Sequence, residues 1–252
     1  MDLNLDELLQ PEDVDLSSFS VKNELNPKIW NKVDGKYRLD PKVRSKLLLI
    51  ADDFFDSLDL DSIDIEDIIL TGSLSNYNWS SFSDIDLHIL LDFGMVDKNQ
   101  MLVKEYFDSK KAVWNNNHDI KIHGFDVELY VQDIKEKHTS SGIFSIFHNK
   151  WVKKPHKETE KLSNTDLIKE KASYYMNLID SLEKYYDQGH YNYLIRKIDK
   201  IKTKIKDTRQ KGLDRSGEFS PENLIFKVLR RSGYIEKLFD LQLKSYDQSF
   251  SL

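Results

Sequence analysis

The 252-residue chain has no cysteine. That excludes a disulfide framework, a cysteine-based zinc site and a thiol nucleophile, and it permits a reducing compartment. Long apolar runs are missing too. None approaches the roughly 20 residues that cross a bilayer. The opening Met1-Asp-Leu-Asn-Leu-Asp-Glu7 lacks the basic and apolar regions of a signal peptide. These absences predict a cytosolic protein with no membrane partner, taken as a monomer by default. Histidine is sparse at seven residues, and no pair has the spacing of a helical metal site such as His-x3-His. Proline and glycine number only 5 and 9, and beyond residue 164 helical periodicity takes over.

What remains is ordinary for a soluble globular protein: 39% apolar and 32% charged residues. The length allows one large domain or two modest ones. The net charge of −6 is unevenly spread. Residues 1–100 hold 9 Lys/Arg and 21 Asp/Glu, which is −12, leaving 28 bases and 22 acids, or +6, in residues 101–252. The sign fits an acidic, cation-binding half and a basic half that could guide a polyphosphate.

The most informative stretch is 67–92. Ile68-Ile69-Leu70 is a short apolar run ending at Gly72-Ser73, which reads as a buried strand entering a turn. Ile85, Leu87 and Ile89 then alternate with Asp84, Asp86 and His88, a second strand. Alternation places Asp84 and Asp86 on one face, about 7 Å apart along the strand. Two carboxylates side by side repel unless a cation lies between them, and the next downstream base is Lys98. Hard carboxylate oxygens suit Mg²⁺ or Mn²⁺, which also bind substrate phosphates. A solvated strand edge is the plain alternative for Asp-x-Asp by itself. Gly72 lets the backbone approach a ligand closely, and the Ser73 hydroxyl can hold phosphate oxygens.

Gly72-Ser73, ten intervening residues ending at Ser83, then Asp84-Ile85-Asp86-Leu87 resembles the signature of the DNA polymerase beta-like nucleotidyltransferases. The pattern is also similar to nucleotidyltransferases carried by bacteriophages. The resemblance spans roughly residues 40–135. It implies an α/β (α+β) fold: a nucleotidyltransferase mixed β-sheet flanked by helices. It also implies a third acid on a neighbouring strand. Gly124-Phe-Asp-Val-Glu-Leu-Tyr-Val131 supplies Asp126 and Glu128, which share a face with Tyr130. Asp126 is preferred because it follows a hydrophobic residue at the start of its strand, with Glu128 as close rival. The implied metal ligands are Asp84, Asp86 and Asp126, holding two Mg²⁺ (or Mn²⁺) ions. Gly72, Ser73 and Ser83 are the implied phosphate contacts. The segment after Gly72-Ser73 would begin a short helix whose N–H groups face a triphosphate. Tyr77, Trp79 or Phe82 could stack on a base or pack against the sheet.

Around this stretch the chain divides into an N-terminal arm (1–39), a catalytic domain (40–160) and an all-helical C-terminal bundle (161–252). The arm is acidic and weakly patterned, with Leu5, Leu8, Leu9 and Val14 as docking residues; residues 27–39 read as loop. Asp40-Pro41 starts a helix reaching about Ser57. Asp97 or Asn99 opens another to about Asn115, followed by a turn at 115–118. Residues 120–131 form a strand or hairpin bent at Gly124, and Ile143–Phe147 adds a strand. His148–Lys157 is either a charged linker or a phosphate grip. The bundle has three main helices: 166–187, 191–211, and one from Ser220-Pro221 to about Lys244, weakened at Gly233. Arg196, Lys197, Lys200, Lys202, Lys204, Lys206 and Arg209 form a basic face, with Lys227, Arg230 and Arg231 able to join it.

The resemblance implies transfer of a nucleoside monophosphate from an NTP to an acceptor hydroxyl on an RNA end, a protein or a small molecule. Metal ions at three carboxylates support in-line phosphoryl transfer, and the third acid could take the acceptor's proton. Two other readings stand beside it. One is an inactive nucleotide- or protein-binding module on the same fold. The other is a metal-dependent phosphohydrolase, which leaves the Gly-Ser turn unexplained.

Overall fold

The computed structural model describes residues 8–60, 63–138, 140–157 and 164–251. The protein is α+β and falls into two units. One spans 21–159; the other joins 1–20 to 160–252.

The first unit opens with a hairpin, β1 (Trp30–Val33) paired antiparallel to β2 (Lys36–Leu39). This corrects the loop expected at 27–39. Asp34 and Gly35 both take positive φ, 50° and 73°, the geometry of a two-residue hairpin turn, and Asp-Gly is the sequence signal for it. Helix α1 (Pro41–Asp56) begins as expected. Asp40 caps it by accepting from the Lys42 and Val43 N–H groups, and Pro41 occupies the first turn. A six-stranded sheet follows, built from β3 (Asp67–Thr71), β4 (Ile85–Leu91), β5 (Lys121–Ile122), β6 (Phe125–Asp133), β7 (Ile143–Ser145) and β8 (Lys150–Lys153) in the order β5-β6-β4-β3-β7-β8. Strands β4 and β6 run parallel and the other neighbours antiparallel, so the sheet is mixed.

Between β4 and β6 the chain makes the long crossover that parallel neighbours need. It passes through α2 (Phe93–Val96) and α3 (Gln100–Asn117). Helix α3 outruns the expected end, and the turn expected at 115–118 is mostly its last turn. Asn115 there exchanges two 3.1 Å hydrogen bonds with the backbone of Leu129 and so ties the helix to β6. Segment 150–153, expected as linker or phosphate grip, is the edge strand β8.

The alternation in β4 and β6 is fully expressed. Ile85, Leu87, Ile89, Val127, Leu129 and Val131 are buried with Leu47, Ile50 and Phe54 of α1 and Val103, Phe107 and Trp114 of α3. The carboxylates and His88 therefore face away from this helix-covered side.

The helical unit contains α4 (Thr165–Asp180), α5 (Glu183–Asp187), α6 (Tyr191–Ser216), α7 (Pro221–Arg231) and α8 (Tyr234–Phe250). The single helix expected from 220 to 244 is two, separated at Ser232-Gly233, where Gly233 takes φ 77°. Ile168, Met176, Leu194, Ile198, Leu224, Leu229 and Leu238 make its core, and Val14 and Phe19 are buried among them. Leu9 exchanges two 2.9 Å backbone bonds with the Asn177 amide. The expected arm 1–39 is thus divided: its described part up to residue 20 packs into the helical unit and the rest belongs with the sheet. Leu5 lies outside the described residues. Among the described residues, no helix is long and apolar enough to cross a membrane.

Candidate functional site

Antiparallel pairing of β3 with β4 sets Thr71 opposite Asp86, which brings the Gly72-Ser73 turn to the carboxylates. Gly72 has φ 72° and ψ −163°, backbone essentially confined to glycine. A Cβ built there would overlap the Asp86 carboxylate. Glycine is required twice at this position, for its conformation and for the space Asp86 fills.

The turn does not continue into the helix expected after it. Ser73–Ser75 is a single 3₁₀ turn, and Asn76 is already extended. The loop is closed by side chains instead. The Ser73 hydroxyl donates to Ser83 Oγ at 2.8 Å, and the Ser80 N–H donates to the same oxygen at 2.9 Å. The Asn76 amide donates to the Gly72 carbonyl at 2.8 Å and accepts from the Ser141 hydroxyl at 2.6 Å. Tyr77 and Trp79 pack against the core. The Trp79 indole donates to the Glu24 carbonyl at 2.9 Å, while Phe82 is exposed.

Parallel pairing of β4 with β6 places the two rival acids differently. Asp86 is registered with Glu128, and His88 with Tyr130. Asp84 lies one residue before β4. Asp126 is exposed on β6 and pairs with Lys121 of β5, which also reaches Asp119 at 3.0 Å. The register favours Glu128 over the preferred Asp126. The residue beside Asp86 is Glu128, and the cation next to Asp126 already satisfies it. Only the strand register, which sequence does not reveal, separates the two.

Tyr130, expected on this face but given no role by the sequence, bonds to Glu128. Its hydroxyl donates to Glu128 Oε2 at 2.5 Å. His88 stacks on its ring, with centroids 4.7 Å apart, and the Lys111 ammonium from α3 lies 4.4 Å from the ring centre. Burial, the Glu128 bond and the nearby charges of Glu128, Asp86 and Asp84 all raise the phenol's pKa, so it stays a donor at neutral pH. His88 Nδ1 donates to Gln132 Oε1 at 2.9 Å. Burial lowers the His88 pKa to about 4, with smaller contributions in the same direction from His138 and Lys111, and the imidazole is neutral at pH 7. That face of Asp126, Glu128 and Tyr130 was readable from the period-two pattern; Lys111, Gln132 and His138 carry no local signal.

The donor chemistry is that of a hard divalent cation: carboxylate oxygens on one face, against a glycine that leaves room for Asp86. Among the described residues no three His, Cys, Asp or Glu side chains converge as a ready cluster. A Mg²⁺ site that completes its shell with water and substrate phosphates needs only one or two carboxylates. Comparison of the chain with protein-family models, curated proteins and solved structures found no match.

Proposed function

We propose that the protein is a metal-dependent nucleotidyltransferase, moving a nucleoside monophosphate from an NTP to an acceptor hydroxyl. The observation that carries this reading is the meeting of three elements at one place: the Gly72-Ser73 turn, Asp86 seated against Gly72, and Glu128 registered beside Asp86. Asp84 and Asp86 would hold Mg²⁺ or Mn²⁺, two ions in the full reading, with Glu128 rather than Asp126 as third acid. Bound there, such ions neutralise charge on the phosphoryl group and the departing pyrophosphate.

The chain's own groups account for the rest. The acceptor oxygen bonds to the α-phosphorus as the bond to the β-phosphate oxygen breaks and pyrophosphate leaves. The acceptor's proton passes to the Glu128 carboxylate. Ser73, on the loop that Ser83 ties back, contacts the phosphates. The bare Gly72 leaves the space that the Asp86 carboxylate fills beside the turn, so the acid and the phosphate-contacting loop stand next to each other before substrate arrives.

The test is label transfer from each α-labelled NTP in Mg²⁺ or Mn²⁺, with cell extract as acceptor pool and Asp84→Ala/Asp86→Ala as control. Transfer into RNA, protein or a small molecule that disappears in the control supports the reading and names the acceptor class. Full transfer by the control would sink the metal assignment. Metal-dependent NTP binding without any transfer would point to a binding module.

A further inference from the structure

We infer that Tyr130 is the positioning residue of the third carboxylate, fixing Glu128 so that one of its oxygens faces the cation and phosphate site. This rests on the nucleotidyltransferase reading and extends it to a residue outside the family-like motif.

The geometry argues for it in three steps. Residues 128 and 130 are two apart on β6, so both side chains project from the same face. The phenol reaches back and occupies Glu128 Oε2. A carboxylate has about four acceptor positions on its two oxygens, so Oε1 remains open to a cation. The tyrosine is itself immobilised. The His88 ring stacks on it, the Lys111 ammonium is held over it, and Gln132 fixes His88. The chain of contacts Gln132, His88, Tyr130, Glu128 ends where β4 sets Asp86 next to Glu128. An outer hydrogen bond of this kind orients a ligating group, and its loss typically weakens metal binding about 10- to 100-fold.

A purely structural tyrosine would look different in solution. It would affect melting of the protein and leave the cation affinity of the folded chain unchanged. The experiment is a Mn²⁺ titration of the full chain followed by the electron paramagnetic resonance signal of free Mn²⁺. Wild type, Tyr130→Phe, Glu128→Gln and the double variant are compared, all below their melting temperatures. Phenylalanine keeps the ring that His88 and Lys111 contact and removes only the donor. The expected result is a Mn²⁺ dissociation constant raised about 10- to 100-fold by Tyr130→Phe, with no further rise when it is added to Glu128→Gln. Wild-type affinity in Tyr130→Phe, beside a weakened Glu128→Gln, would overturn the role of Tyr130 and leave Glu128 as a ligand. Equal weakening by Tyr130→Phe in both backgrounds would also overturn it, because the effect would not run through Glu128. Failure of wild type to bind Mn²⁺ would overturn the metal reading and this inference together, whereas an unaffected Glu128→Gln would overturn this inference and leave the ion to Asp84 and Asp86.

Discussion

Gly72 in the sheet unit and Gly233 in the helical unit have nearly the same φ, 72° and 77°, yet they do different work. Gly233 has ψ 0° and joins α7 to α8, with nothing within 4 Å of where a Cβ would be. It is a left-handed junction of the kind that also accepts asparagine. Gly72 has ψ −163° and is pressed against a carboxylate. The contrast extends to the units that contain them. The helical unit buries regular aliphatic stripes, and its irregularities are chain turns. The sheet unit buries one face of β4 and β6 in the same way but places acids, a neutral histidine and a hydrogen-bonded tyrosine on the other. Sites are found where strain and polar crowding coincide, since such features persist only when the surrounding fold over-determines them.

The largest expected effect tests that contrast directly. Gly72→Ala adds both backbone strain and overlap with Asp86, each worth a few kcal/mol, so a loss on the order of 4 kcal/mol is expected together with loss of transfer. Gly233→Ala meets only the left-handed penalty of about 1–2 kcal/mol, and Gly233→Asn less. Urea unfolding read two ways separates the units. All four tryptophans (30, 79, 114 and 151) lie in the sheet unit, so their fluorescence follows that unit while far-ultraviolet dichroism also follows the helices. Equal losses for the two alanine variants would erase the distinction.

Acidity should divide the units next. An unfolded His88 takes up a proton near pH 6.5, whereas the folded one resists until about pH 4. Its contribution is intact above pH 6.5 and is lost as the pH falls towards 4, by up to about 3 kcal/mol. Tyr234 in α8 behaves oppositely. Desolvation and its 3.0 Å bond to Asp180 raise its pKa to about 12. That stabilisation is present below pH 10 and disappears as the pH climbs towards 12. His88→Phe should flatten the acid limb seen by tryptophan fluorescence, and Tyr234→Phe the alkaline limb seen by dichroism. Unchanged limbs in both variants would show that neither group is perturbed as the structure places it.

Much of this molecule was legible locally. Asp40-Pro41, the alternation of 84–89 and the aliphatic spacing of α4 and α6 each encode an element through neighbours a few positions away, and each element formed. The hairpin at 30–39 was equally legible through Asp34-Gly35, but its strands are four residues long and mostly exposed, so no apolar alternation advertised them. Other features depended on distant pairings. The packing of Val14 and Phe19 into the helical core, the choice of Glu128 and the meeting of Lys111 with Tyr130 are set by which segments become neighbours, and sequence periodicity holds no record of that. Asp84 and Asp86 could be named together because they are two residues apart in sequence; Glu128, registered with Asp86, lies on a different strand.

The finest test lies within the sheet unit, where Asp126 and Glu128 differ by one step of the same strand face. Asp126 is exposed and bound to Lys121, a solvated pair of the kind that adds little. Glu128 is half-buried, takes the Tyr130 hydrogen bond and is registered with Asp86. Glu128→Gln should lower transfer by two to four orders of magnitude, about the worth of a positioned acid–base group, and Asp126→Asn should change it less than roughly threefold, in line with the small worth of an exposed pair. A reversed ranking in the label-transfer assay would restore Asp126 as the third acid. It would also mean that Asp126 reaches the cation through the oxygen that Lys121 leaves open, because the ammonium is bound at Oδ1 and a carboxylate has acceptor positions on both oxygens.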